Sequence, residues 1–304
     1  MGKNKKKENG SELFDEFYRS IYKERWDDLK SALLAPKSHV VLKNPYSNEP
    51  LLEASPFHDL ENMWTTQKKI ENPKVDELTQ ENSHTPFYFM DGASAFAAYA
   101  LEVKEGDEVL DLCAAPGGKA LILAYALKGT GRLVANDKST DRRLRLHSVL
   151  KKSLPESIFQ ECIKVTGNDA GKWCLYEKEA FTKILLDAPC SSESHVLSSP
   201  QHLKEWRLNR TKKLSVNQWT MLASAWLVLK PGGRLVYSTC SISNLENDDV
   251  VAKLFKKFPN EVKKVDSKIP VGESTQYGHI ILPDKSGLGP IYLAVIEKTA
   301  SSLA

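Results

Sequence analysis

Two cysteines stand where apolar runs give way to polar turns. KILLDAPC ends on Asp187-Ala188-Pro189-Cys190, and RLVYSTC ends on Ser238-Thr239-Cys240. Each run has the length and composition of a short buried strand, so each delivers a thiol at a strand's carboxyl end. One such cysteine reads first as packing, because unpaired cysteine is among the most buried residue types. Two at adjacent strand ends, one beside an aspartate and a proline, point to thiol chemistry, in which sulfur attacks an electron-poor centre and forms a covalent intermediate. The other three, Cys113, Cys162 and Cys174, read as packing residues. No CxxC pair or accompanying His spacing suggests a metal site, and an odd number of cysteines argues against a disulfide framework.

A second pattern is DLCAAPGGK, residues 111–119. An apolar run followed at once by a glycine turn and a helical stretch brings backbone N–H groups close to a ligand at a helix N-terminus. In a doubly wound sheet the ligand lies beyond the carboxyl ends of the strands, where the strand order reverses. Asp137, ending RLVAND, is placed to bond the hydroxyls of a ribose, and Asp169, in GNDA, to receive an adenine amino group. The alternative for either aspartate is a turn residue or a helix cap. Three polar sites at three successive strand ends favour a nucleoside-containing cofactor.

The elements that must hold these residues alternate. Strands are expected at 109–113, 132–137, 158–166, 183–190 and 234–240, with helices at 119–128, 140–153 and 210–229, the last stopped by Pro231-Gly232-Gly233. ENDDVVAKLFKKF reads as a helix, and GHIIL and IYLAVIEK as an antiparallel hairpin around a Pro-Asp-Lys-Ser-Gly loop. The predicted fold is α/β and Rossmann-like: a seven-stranded, mostly parallel sheet ending in that hairpin. Upstream, residues 11–34 space Leu13, Phe14, Phe17, Tyr18, Ile21, Tyr22, Trp26, Leu29 and Leu33 as an amphipathic helix broken once. The stretch 36–86, punctuated by six prolines, reads as loops and short helices. The expected organisation is a basic flexible tail over 1–10, a helical and loop extension over 11–86 that contacts the substrate, and a domain over 87–304 that carries these sites.

Composition narrows the class. The 304 residues are 41% apolar and 27% charged, as in ordinary folded domains. No run approaches the ~18 apolar residues of a membrane span. The lysines at 3–7 precede no apolar segment, and acids follow early, so the sequence-based expectation is a cytoplasmic protein without membrane association. A net charge of +3 permits nucleic acid as a partner without requiring it.

Taken together, DLCAAPGGK, DAPCSS, KPGG followed by YSTCS, the pair Glu246-Asn247 and YFMDGAS at 88–94 resemble the NOP/Sun (Sun-domain) RNA cytosine-5 methyltransferases over residues 86–298. The short N-terminal helix and GPIY at 289–292 look most like the compact subgroup that acts on ribosomal or transfer RNA without an appended RNA-binding domain. The resemblance implies S-adenosylmethionine as cofactor, held by Cys113, Ala114, Ala115, Pro116, Gly117, Gly118, Lys119, Asp137, Arg142, Asp169 and Asp187. It also implies Cys240 as nucleophile, Cys190 as the thiol that assists release of the product, and Asp187 at the N3/N4 edge of the pyrimidine. Spacing alone leaves the two thiols open, since Pro-Cys is where DNA cytosine-5 methyltransferases keep their nucleophile, and that arrangement is Cys190's.

RNA must also be held. KSTDRRLRLHSVLKK (138–152) and HLKEWRLNRTKK (202–213) concentrate positive charge, the second around Trp206, a candidate stacking face. Ribosomal RNA is the expected substrate of a chain expected to act as a monomer, with a helper protein as a further partner. The competing readings are a transfer RNA substrate, an RNA-binding assembly factor that keeps the cofactor pocket, and, remotely, a nucleotide-dependent dehydrogenase, which the lack of GxGxxG disfavours.

Overall fold

The computed structural model describes residues 9–37, 39–66 and 84–302. The basic segment at 3–7 lies outside them. Asn9 accepts the Ser11 amide and so caps helix α1 (Gly10–Tyr22), and a single 3-10 turn at Lys23–Arg25 leads into α2 (Trp26–Leu34). This turn is the expected break. The apolar stripe of the pair, Phe14, Tyr18, Trp26, Leu29 and Leu33, enters the same core as Ile184, Leu186 and Tyr237 of the central sheet.

The described part of 36–86 departs from expectation and pairs with the segment that follows it, while 67–83 lie outside the described residues. In place of loops and short helices the two paired segments form β1 (His39–Lys43), β2 (Ala54–Pro56), β3 (Met63–Thr66) and β4 (Phe87–Asp91), an antiparallel sheet in the order β2-β3-β1-β4. Strands of three to five residues show too little alternation to register as a pattern. Pairing between distant segments makes them strands, as with His39 opposite Asp91. Asp91 then caps α3 (Gly92–Tyr99), accepting the Ser94 amide.

The catalytic half follows the predicted alternation. In chain order come β5 (Glu108–Asp111), α4 (Gly118–Leu127), β6 (Arg132–Asn136), α5 (Thr140–Ser153), α6 (Glu156–Cys162) and β7 (Ile163–Thr166). Then follow β8 (Phe181–Asp187), α7 (Glu193–Ser198), α8 (Pro200–Glu205), α9 (Leu208–Val228) and β9 (Leu229–Thr239). The chain closes with α10 (Asp248–Lys257), β10 (Val262–Val265), β11 (Glu273–Ser274), β12 (His279–Ile281), α11 (Pro283–Ser286) and β13 (Ile291–Lys298).

The sheet order is β11-β12-β13-β9-β8-β5-β6-β7, with β10 also on β13. Strands β5 to β9 pair in parallel, and β12 and β13 form the expected antiparallel pair beside β9. The nine strands exceed the seven expected by β10 and β11, edge pieces whose VKKV and Glu-Ser carry little strand signal. One predicted strand is shortened: in 158–166 only Ile163–Thr166 is extended, because Pro155 opens a helix that runs to Cys162. The chain moves outward from β5 through β6 to β7 and then crosses back to β8. The order therefore reverses between β5 and β8, and the crevice lies beyond Asp111 and Asp187.

Trp26 is fully buried and stacks on Tyr18 at 5.3 Å. Truncation to alanine should destabilise the protein by about 3–5 kcal/mol. Urea unfolding measures this, and a change near zero would show that α1 and α2 are not part of the cooperative core.

Candidate active site

The turn after β5 is held from both sides of the switch point. Leu112 N–H donates to the Leu185 carbonyl and Ala114 N–H to that of Asn136, so the turn is pinned to β8 and β6. Fully buried Asn136 donates its amide to Leu112 and Asn168 carbonyls and accepts from Thr166 and the Asn168 amide. One side chain thus ties three strand ends together. At Gly117 the backbone turns with φ +126°, a conformation L side chains rarely adopt, and a Cβ on Gly118 would lie 2.5 Å from the Tyr88 ring. Tyr88, Met90, Ser94, Asp111, Lys119 and Asp187, with the 113–116 turn, line a cavity of about 110 Å³.

The donor set of this cavity suits S-adenosylmethionine, which carries a sulfonium, an ammonium and a ribose diol. Asp111 is buried with both carboxylate oxygens lacking a hydrogen-bond partner, and burial, reinforced by Asp187, pushes its pKa up to about 8. A buried carboxyl left without a donor fits a cationic ligand. Asp137, also buried, accepts the Ser139 amide and pairs with Arg142 at 3.1 Å, while Arg142 donates to the Ala115 carbonyl. Arg142 thereby reaches the 113–119 turn. Asp169 caps the 3-10 turn Ala170–Leu175, and the Lys138 ammonium at 2.8 Å holds its carboxyl below the usual range. Its cap role and its place beyond β7 coexist. Cys113 is packed, and burial pushes its thiol up and keeps it protonated.

Lys119 stands between two cavities. Its ammonium donates to Asp187 at 2.8 Å and to the Ser94 hydroxyl. Burial alone would favour loss of its proton, but Asp187 and then Asp111 outweigh that and hold it charged. Asp187 also accepts the Ser238 hydroxyl at 2.7 Å. Beyond this wall, which Ser94, Lys119 and Asp187 share, a cavity of about 280 Å³ contains Cys190 and Cys240 with Lys37, Asp91 and Ile291. The sulfurs touch, Cys190 Sγ to Cys240 Sγ at 2.7 Å. The bond to Cys240 and burial push the Cys190 thiol well above its ordinary value. The contact itself is symmetric, since either sulfur can be the donor.

Other expectations fare differently. Trp206 is no stacking platform: it is buried edge-on against Phe14 at 5.3 Å, an apolar ring used to dock α1. Around it Lys204, Arg210, Lys212 and Lys213 remain exposed, as do Arg145, Lys151 and Lys152 on α5. Asp111, Ser94 and Lys37 were missed as lining residues. Only Asp111 had a signal, a charge at the end of the apolar run VLDL.

A parallel sheet reversing at β5/β8, with a glycine turn and acidic side chains at its carboxyl ends, defines a Rossmann-like S-adenosylmethionine-dependent methyltransferase. The chain belongs to the 16S rRNA methyltransferase RsmB/F family, whose model matches residues 98–297. It is similar to the mouse mitochondrial tRNA (cytosine(34)-C(5))-methyltransferase, 29% identical over 95% of this chain and 90% of that one. It is 35% identical to the bovine 5-cytosine rRNA methyltransferase NSUN4 over 68% of this chain, and the match spans 58% of the bovine protein. The fold matches that of NSun6 from Pyrococcus horikoshii with SFG, at a TM-score of 0.76, 21% identity, and coverage of 94% of this chain and 98% of that one. The enzyme is an S-adenosylmethionine-dependent RNA cytosine-5 methyltransferase.

The raised pKa of Asp111 predicts that binding of a cationic cofactor depends on pH. Below about pH 8 the carboxyl is protonated in the free enzyme, and a cationic ligand favours the ionised form, so binding releases a proton. Affinity for S-adenosylmethionine should rise as pH approaches 8 and level off above it, and Asp111→Asn should bind more weakly with a flat profile. Calorimetry in buffers of different ionisation enthalpy measures both, and a flat wild-type profile would remove Asp111 from the cofactor's charge balance.

Proposed function

We propose that the enzyme methylates carbon 5 of a cytosine in ribosomal RNA through a covalent adduct in which the Cys240 sulfur is bonded to carbon 6 of the base. The observation that supports this reading is the contact between the Cys190 and Cys240 sulfurs, inside a cavity that shares a wall with the cofactor turn. A hydrogen bond from Cys190 stabilises charge on Cys240, and the thiolate is the nucleophilic form of cysteine.

The residues divide the work as follows. Carbon 5 of cytosine is too weak a nucleophile to be alkylated unaided. Addition of the Cys240 thiolate to carbon 6 moves the ring's π electrons so that carbon 5 becomes enamine-like. Asp187, bonded to Lys119, faces this cavity and can bond the N3/N4 edge, in its protonated form supporting charge building at N3, with the Lys119 ammonium behind it. S-adenosylmethionine, held by the 113–119 turn with Asp111, Asp137 and Arg142, supplies the electrophilic methyl group. Transfer of the carbon 5 proton to a water molecule acting as base then re-forms the C5–C6 double bond, and the C6–S pair returns to sulfur as thiolate. Cys190, in contact with that sulfur, assists release. The base must leave its stack to enter a cavity of this size.

The ribosomal substrate follows the family match and the bovine relative. The transfer RNA reading is favoured by the mouse relative, which aligns over nearly the whole chain. Phosphate contacts are assigned to the exposed lysines and arginines of 202–213 and α5, and to the extension before β4. The monomeric state and a helper protein for RNA selection are part of the same reading. Among the described residues no helix is long and apolar enough to cross a membrane. The cytoplasmic expectation stands against the mouse relative's mitochondrial name, and cell fractionation separates the two.

Cys240→Ala should abolish methyl transfer while leaving S-adenosylmethionine affinity nearly unchanged, and retained turnover would remove Cys240 as nucleophile. Cys190→Ala should accumulate an SDS-resistant protein–RNA adduct, read on a denaturing gel.

A further inference from the structure

The two cysteine loops are cross-braced by carboxylates that each loop lends to the other. Glu193, three residues after Cys190, is fully buried and accepts the Ser241 hydroxyl at 3.1 Å and the Ile242 amide at 3.1 Å, both next to Cys240 in sequence. Glu246, six residues after Cys240, is equally buried and accepts the Ser191 amide at 3.0 Å, beside Cys190, and the Gln218 side chain at 2.7 Å. Ser191 and Ser241 meet directly, hydroxyl to hydroxyl at 3.0 Å, and Ser191 also donates to Glu193. Burial and the neighbouring Glu193 charge raise the Glu246 pKa.

Helix α1 supplies the third leg. The Tyr18 hydroxyl donates to Glu193 at 2.5 Å, and the Tyr22 hydroxyl to the Ile242 carbonyl at 2.7 Å. Glu193 faces no cation among its bonding partners, which are the two serines, the Ile242 amide and Tyr18. A fully buried carboxylate satisfied only by dipoles is costly to build and rigid once built. None of these groups lines the target cavity, so the cluster serves the sulfurs from behind.

We propose that Glu193, anchored by Tyr18 of the N-terminal helix, is the positioning residue that sets the Cys240 sulfur relative to Cys190 for attack. The N-terminal extension thereby acts in catalysis as well as in packing. This rests on the covalent, two-thiol reading above. A nucleophile held by such a brace loses rate steeply when the brace slackens, because a misplacement of about 1 Å costs on the order of a hundredfold.

The test uses the full chain in a Cys190→Ala background, where the adduct accumulates, with Tyr18→Phe or Glu193→Gln added. The readout is the rate constant of adduct formation with saturating RNA and S-adenosylmethionine, alongside cofactor affinity by calorimetry. Unfolded protein lowers the amplitude of adduct and leaves the rate constant alone, whereas a misplaced sulfur lowers the rate constant. Tyr18→Phe, which keeps the ring packed against Phe14 and Trp26, should slow adduct formation about tenfold, and Glu193→Gln about a hundredfold. Cofactor affinity should stay within about twofold, since the cofactor cavity lies across the Lys119–Asp187 wall. Unchanged rate constants in both variants, with adduct still forming, would overturn the positioning role and leave the covalent reading intact. No adduct in the Cys190→Ala parent would overturn the covalent reading and the positioning role with it.

Discussion

Everything at the site depends on one register. Strands β8 and β9 run parallel with Asp187 opposite Ser238, and the Ser238 hydroxyl closes on the Asp187 carboxylate. Three residues past Asp187 and two past Ser238, the chain delivers Cys190 and Cys240 to the same crevice. A slip of one residue would turn one strand's side chains to the opposite face, parting the sulfurs and unpairing Asp187. The pairing is fixed by burial on both sides: Leu185, Leu186, Val236 and Tyr237 are all fully enclosed.

Charge is the second constraint. Asp111 and Asp187 stand on the cofactor side with one ammonium, Lys119, and Glu193 and Glu246 stand behind the sulfurs among hydroxyls and amides. A crevice with more buried carboxyls than cations suits a positively charged cofactor. It also explains why Lys119 keeps its proton. The position of Lys119 links the two cavities, because the same side chain borders the one beside the 113–119 turn and bonds the carboxylate that faces the one holding both sulfurs.

Much of this was legible in the chain. The five parallel strands announce themselves as apolar runs ended by glycine turns or charged residues, and DLCAAPGGK, DAPC and STC mark the strand ends that matter. The small antiparallel sheet was not legible, since strands of three to five residues with proline between them carry no periodic signal. Trp206 was read as a surface ring because the lysines and arginines around it are on the surface; only the packed α1 shows that its own face is apolar. Glu193 drew no reading from the sequence and Glu246 entered only through the Glu246-Asn247 pair of the resemblance; their burial depends on α1 and on two loops that sequence places 50 residues apart. The choice between the two thiols came from family resemblance, and their contact, in which either sulfur can donate, does not make it.

The attack itself can be observed directly. RNA carrying 5-azacytidine has nitrogen at position 5 and no proton to lose there, so elimination is blocked and the protein–base bond persists. Peptide mass spectrometry of the nuclease-treated, protease-digested complex should place the nucleotide on Cys240, in the peptide that follows Lys230-Pro231-Gly232-Gly233-Arg234. A nucleotide on Cys190 would contradict the account.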